Sequence, residues 1–108
     1  MAIVVVGQEG DVAPGQALRV VAEGVPIAIF NVHGELYAIG DTCTHEEFSL
    51  SDGDMVDDYT VECALHGAQF DVRTGEVLCM PATEPERSYP VWIEDGLLKV
   101  DVQEEDEP

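Results

Sequence analysis

The chain has 108 residues, 45% of them hydrophobic, and its 23 acidic against 4 basic side chains give a formal charge of −19. That length makes one domain with one core and leaves no room for a second catalytic domain. Its longest apolar runs, such as Val25 to Phe30, are too short to cross a bilayer, and so acidic a surface repels nucleic acid and anionic membranes while favouring a partner with a basic patch. The plain alternative for the charge is solubility, or life in a salty habitat. Met1-Ala-Ile-Val-Val-Val-Gly7 lacks the basic and long apolar regions of a signal peptide, so a soluble, cytoplasmic protein is expected. Three cysteines in a reducing compartment point to metal binding or catalysis rather than to a disulfide framework.

From Ala17 onward the chain reads as short strands divided by turns. Ala17 to Ala22 and Pro26 to Val32 are rich in branched residues and separated by Glu23-Gly24, and Glu35 to Ile39 follows His33-Gly34. Downstream come Thr60 to Glu62, Ala68 to Val72 with the turn Arg73 to Glu76, and a last hairpin of Tyr89 to Ile93 and Leu97 to Val102 around Glu94-Asp95-Gly96. No 3.6-residue period is sustained, apart from a turn near Glu46 to Leu50. An all-β fold is expected, with one domain over 1–108. Residues about 41–80 read as an excursion from the β-scaffold, and about 103–108 as a mobile acidic tail.

The chemistry lies in the excursion. Taken singly, each Cys is a small buried hydrophobe and each His an ordinary surface or core residue. Together they form Cys43-x-His45 and, after the seventeen residues Glu46 to Glu62, Cys63-x-x-His66; for this composition such a pattern arises by chance with odds on the order of 2 × 10⁻⁴. Each loop offers one thiolate and one imidazole. One zinc ion would take all four in a closed tetrahedral site, whereas a [2Fe-2S] cluster would place both cysteines on one iron and both histidines on the other.

With "CTH" at Cys43 to His45 and "CALHG" at Cys63 to Gly67, the chain resembles the Rieske proteins. More closely, through "SLSDG", "VECALHGAQFDVRTGEV", "PATEP" and "YPV", the stretch from about Ala17 to Val102 resembles the Rieske-type ferredoxins of multicomponent aromatic-ring-hydroxylating dioxygenases. The resemblance implies a Rieske fold, stacked antiparallel sheets with a small cluster-binding subdomain inserted in a β-scaffold and the cluster at one tip. It implies one [2Fe-2S] cluster, with Cys43 and Cys63 on one iron and His45 and His66 on the other. The function implied is that of a one-electron carrier, without catalytic residues of its own. It would take electrons from an NAD(P)H-dependent ferredoxin reductase and deliver them to a terminal Rieske non-haem iron oxygenase in aromatic compound degradation. A monomer is expected. The alternatives are a structural Cys₂His₂ zinc module and a small Rieske-like subunit of a nitrite reductase.

Departures from the high-potential Rieske proteins of respiratory chains are informative. Those carry an extra cysteine in each ligand loop, where this chain has Phe48 or its neighbours and Leu65, so no loop disulfide forms. They also carry a Ser and a Tyr whose hydroxyls bond cluster sulfurs, where this chain has Ala68 and Phe70. Hydrogen bonds to sulfur stabilise the reduced cluster, so a potential near the low end of the Rieske range, roughly −150 mV, is expected. Pro81 matches the family's proline loop, a cap over the cluster. Cys79 reads as a small buried hydrophobe, His33 as a solvent-facing turn residue, and Glu46 and Glu47 as part of a docking rim. Trp92 and Tyr89 read as core aromatics. The chain has no G-x-G-x-x-G nucleotide fingerprint and no 2-His-1-carboxylate iron site for O₂ chemistry.

Overall fold

The computed structural model describes residues 3–41, 49–62, 68–79 and 86–102. The strands are β1 (Ile3–Gln8), β2 (Ala17–Ala22), β3 (Val25–Val32), β4 (Glu35–Gly40), β5 (Asp54–Asp57), β6 (Thr60–Glu62), β7 (Gln69–Asp71), β8 (Val77–Cys79), β9 (Ser88–Tyr89), β10 (Val91–Glu94) and β11 (Leu97–Asp101), with one 3-10 turn at Leu50–Asp52. They pair antiparallel throughout into three sheets, ordered β1-β11-β10, β2-β3-β4-β9 and β5-β6-β7-β8. The protein is therefore all-β, with the stacked antiparallel sheets of the expected fold. No helix among the described residues is long and apolar enough to cross a membrane.

Three two-residue turns set the registers. Glu23-Gly24, His33-Gly34 and Asp95-Gly96 all have positive φ at both positions, the type I′ geometry whose twist matches that of the flanking strands. They fix Ala22 opposite Val25, Val32 opposite Glu35 and Glu94 opposite Leu97.

The middle sheet is covered on both faces, and β3 shows why its sequence is almost uninterruptedly apolar. Ala28, Phe30 and Val32 join Ile39, Leu50, Val61, Ala68, Phe70 and Val72 in one core, against the β5–β8 sheet. Ile27 and Ile29 point the other way, with Ala22 and Ala38, onto Leu98 and Val100 of β11. Alternating side chains of one strand thus bind all three sheets together. Burying each of those isoleucines stabilises the fold by about 1.5–3 kcal/mol.

The structure adds three strands to the sequence reading. β1 is apolar on both faces, with Val4 and Val6 packed inward and Ile3 and Val5 half exposed, so it carries no alternation to recognise. β5, Asp-Met-Val-Asp, is exposed throughout and is a strand because it pairs with β6. β8 has only three residues. The expected strand Tyr89 to Ile93 is divided: β9 pairs with β4, while β10 pairs with β11 in another sheet. Pro90, which has no N–H to give a ladder, marks the crossing. Trp92 is corrected from core to outer face, where its indole N–H donates to Glu94 Oε1 at 3.3 Å beside Lys99. Tyr89 does pack on the second core. His33 is an exposed turn residue, as expected, 3.4 Å from Asp58.

Asp71 fixes the β7–β8 turn. Its carboxylate accepts the Arg73 backbone N–H at 2.8 Å and the guanidinium at 3.1 and 2.9 Å, and its carbonyl accepts the Gly75 N–H. The guanidinium lies 4.1 Å above the Tyr59 ring, which meets Tyr37 edge-on. Hydrogen bonding from Arg73 holds the Asp71 carboxyl below its usual range. Its stabilisation is therefore complete above the ordinary Asp value of about 3.9 and disappears as pH falls through the lower folded value. Asp71→Ala is expected to lower stability by about 1–2 kcal/mol at pH 7, discounted for the half-exposed arginine. Urea unfolding at pH 7 and near pH 3 checks this, the difference from wild type narrowing in acid.

Candidate metal centre

The expected ligands Cys43, His45, Cys63 and His66 lie outside the described residues, as do Glu46, Glu47, Phe48, Leu65 and Pro81; of Cys79 only the backbone, in β8, is described. Among the described residues no group of three or more His, Cys, Asp or Glu side chains is arranged to hold a metal. What the structure defines is the set of stems from which segments 42–48, 63–67 and 80–85 depart.

Asp41, directly before the first segment, is buried. Its carboxylate accepts the Ser49 hydroxyl at 2.6 Å, the Ser51 N–H at 3.0 Å and the Arg19 guanidinium at 3.0 Å, and its carbonyl accepts the Leu50 N–H at 2.6 Å. One aspartate therefore closes the ends of segment 42–48 onto each other and onto β2. Leu50 anchors the same stem in the core.

Contact passes from this stem to the next. A β-carbon on Gly53 would collide with the carbonyl oxygen of Glu62, the residue before Cys63, so only glycine lets the 3-10 turn press against the end of β6. Glu62 pairs with Gln69 across the mouth of segment 63–67, their side chains meeting at 3.4 Å. Gln69 in turn pairs with Cys79, where segment 80–85 departs. That segment's far end returns to the first stem. The Glu86 N–H donates to Gly75 O at 2.8 Å, the Arg87 carbonyl accepts the Gly40 N–H at 2.9 Å, and the Glu86 carboxylate covers Gly40 where a β-carbon would stand.

The stems thus form a closed ring of contacts: Asp41 to Ser49 and Ser51, Gly53 to Glu62, Gln69 to Cys79, and Glu86 to Gly40. In the string Ser49-Leu-Ser-Asp-Gly53 the serines tie to Asp41, the leucine fills the core and the glycine permits close approach. Sequence reasoning read that string only as a likeness and missed Asp41, Gly40 and Glu86. The signal for Asp41 is an acidic residue two places before the first cysteine, followed by two serines that could donate to it.

The donor set fits a [2Fe-2S] cluster. Two thiolates and two imidazoles are what its irons need beyond the bridging sulfides, divided as Cys₂ and His₂. Ala68, just before β7, and Phe70, within it, are fully buried and offer no side-chain donor.

The sequence profile described as "Rieske [2Fe-2S] domain" matches residues 2–90. The 3-phenylpropionate/cinnamic acid dioxygenase ferredoxin subunit of Escherichia coli strain K12 is 51% identical over 94 residues, covering 87% of this chain and 88% of that subunit. Among solved structures, the Sphingomonas yanoikuyae B1 ferredoxin matches with a TM-score of 0.84 at 35% identity, over 93% of this chain and 98% of that one. A chain from the complex of reduced oxygenase and oxidized ferredoxin in carbazole 1,9a-dioxygenase matches with a TM-score of 0.86, also at 35% identity, over 97% of both chains.

Asp41→Ala leaves three donors facing an empty site. It is expected to destabilise the protein by about 2–4 kcal/mol, the exposure of Arg19 favouring the lower figure, and to reduce the iron held per chain. Denaturant unfolding together with iron and sulfide analysis checks both outcomes.

Proposed function

Because the chain belongs to the Rieske [2Fe-2S] domain family, we propose that it carries single electrons from an NAD(P)H-dependent ferredoxin reductase to a terminal Rieske non-haem iron oxygenase that oxidises aromatic compounds. The protein carries one Rieske-type cluster and is an electron-transfer component rather than an enzyme in its own right. The observation that carries the reading is the 51% identity, over most of both chains, with a dioxygenase ferredoxin subunit. The oxygenase partner is supported by the likeness to a chain from an oxygenase–ferredoxin complex. Family membership displaces the zinc-module reading. The likeness to dioxygenase ferredoxins favours the carrier over a nitrite reductase subunit.

In this reading Cys43 and Cys63 hold one iron, and His45 and His66 the other. When bound, the cluster stores one electron, its charge with two thiolates and two neutral imidazoles passing from 0 to −1, a smaller burden than the −2 to −3 of a four-cysteine cluster. Asp41, Gly53 and Gln69 hold the stems of the ligand segments, and Leu50, Phe70 and Ala68 tie those stems to one buried core. Residues about 41–80 form the cluster-binding unit of a single domain, which is supported by the separate β5–β8 sheet. A monomer is part of the proposal, supported by a net charge that opposes self-association, and so is a cytoplasmic location, where the nicotinamide pool for the proposed reductase would lie.

Cys63→Ser is expected to abolish the Rieske absorption and the rhombic EPR signal of the reduced protein, and with them reductase-supported electron delivery; delivery that survives would refute the carrier assignment. In the same assay, wild-type transfer is expected to slow as salt rises, because the acidic surface attracts basic partner faces. The absence of hydroxyls at positions 68 and 70 sets an expected potential near −150 mV, to be read by protein-film voltammetry. A potential well above zero would contradict that assignment.

A further inference from the structure

Between β3 and β5, the edge strand of the β5–β8 sheet, lies an open cavity of about 350 Å³ for which the electron-carrying site has no use. Phe30 and Val32, both buried, give it an apolar floor, and exposed Met55 continues that surface towards solvent. Residues 14–16 form a side that is held in shape. The Gly15 N–H donates to Asn31 O at 2.8 Å, the Asn31 N–H to Gln16 O at 3.1 Å, and the Asn31 side chain to Val12 O at 2.8 Å. The mouth is acidic: Asp57 and Asp58 stand there with His33, whose Nε2 lies 3.4 Å from Asp58 Oδ1, and among the described residues no Lys or Arg lines it. Hydrogen bonding from the Thr60 side chain, then from the Tyr59 N–H at 3.0 Å, holds the Asp57 carboxyl below its usual range, so it is ionised at neutral pH. Arg73, which adds to that lowering, is itself forked onto Asp71.

We propose that this cavity receives a lysine or arginine side chain of a protein partner, its alkyl stem on Phe30, Val32 and Met55 and its cation at Asp57 and Asp58. In the carrier reading, on which the choice of partner rests, that protein is the terminal oxygenase. Charge complementarity favours this occupant. A chain of net charge −19 draws basic faces, and most of its acidic positions can only steer them. Here carboxylates border an apolar recess, and a long basic side chain matches both parts, whereas a bare cation gains only the mouth and a neutral apolar group only the floor. The place also suits a redox partner. β6 runs from this turn to Glu62, at the mouth of segment 63–67, so a protein anchored here is held one short strand from the ligand stems.

The oxidised holoprotein is titrated with n-butylammonium chloride, a lysine side chain without its backbone, while the methyl NMR signals of Met55 and Val32 are followed. Saturable shifts in the millimolar range are expected. They should be absent with n-butanol, which lacks the charge, and with ammonium chloride, which lacks the stem, and lost in the double variant Asp57→Asn, Asp58→Asn. Asparagine keeps the oxygen that accepts the Tyr59 N–H, so the turn is retained. Shifts as large with either control, or none with butylammonium, overturn the proposal. Affinity for the oxygenase of the same system is then measured by calorimetry. The double variant is expected to weaken it about tenfold or more. The control Glu23→Gln, Asp95→Asn, which removes the same charge from two exposed turns, should weaken it by no more than about threefold. Equal losses would overturn the proposal, the acidic surface then acting only as a whole. Butylammonium binding needs no partner, so it reads the cavity even where wild-type electron delivery fails and refutes the carrier reading.

Discussion

The carboxylate of Asp41 is the interaction on which the arrangement of the rest depends. A two-metal cluster demands that donors from separate loops meet within a fraction of an ångström, and loops of their own accord do not hold such positions. The cost of fixing them is entropic and is met at the stems, where few residues must be ordered. Asp41 does this with one side chain, joining β2 through Arg19 to the far end of segment 42–48 through Ser49 and Ser51. Because it is buried, each of those hydrogen bonds acts in a medium of low dielectric and would be costly to leave unmade.

That anchorage transmits outward because the middle sheet is packed on both sides. Phe30 and Ile39 face the β5–β8 sheet while Ile27 and Ile29 face β11, so displacing the β4 stem would disturb both cores. Rigidity of this kind suits an electron carrier, whose site should change little between its two charge states. The surface follows a different rule. Three of the four basic side chains, Arg19, Arg73 and Lys99, each lie within 3.2 Å of a carboxylate of the same chain, so they offset little of the acidic excess elsewhere on the protein. The cations are spent on structure, and the field available for steering is correspondingly one-sided.

The sequence disclosed those parts of the fold in which local chemistry and tertiary demand agree. β2, β3, β4, β6 and β11 were legible because branched residues and X-Gly turns announce them, and the turns at Glu23, His33 and Asp95 adopt the geometry their glycines suggest. β1, β5 and β8 were not, since β1 is apolar on both faces, β5 is exposed on both, and β8 is too short to show a period. Pro90 was visible as a residue but not as a crossing between sheets, which depends on where β4 and β11 lie. The site divides in the same way. The ligand pattern Cys43, His45, Cys63 and His66 is local and could be read at once. The contacts of Gly53 with Glu62 and of Gly40 with Glu86 join residues 9 and 46 positions apart in the numbering (62 − 53 and 86 − 40), so no window of sequence contains their meaning.

Positions 68 and 70 show how closely potential and packing are coupled. In the respiratory Rieske proteins that this chain resembles, the equivalent side chains carry hydroxyls directed at cluster sulfurs; here Ala68 and Phe70 are fully buried in the core that joins the middle sheet to the β5–β8 sheet. An oxygen atom added at either place would need a partner, or would cost about 1–3 kcal/mol as an unsatisfied buried group. A cluster sulfur is the partner the family's chemistry supplies. Leaving the hydroxyls out therefore makes the core more purely apolar and, in the proposed role, removes two donors that would favour the reduced state. The same two residues that hold the β5–β8 sheet to its scaffold would thus keep the electron easy to give away.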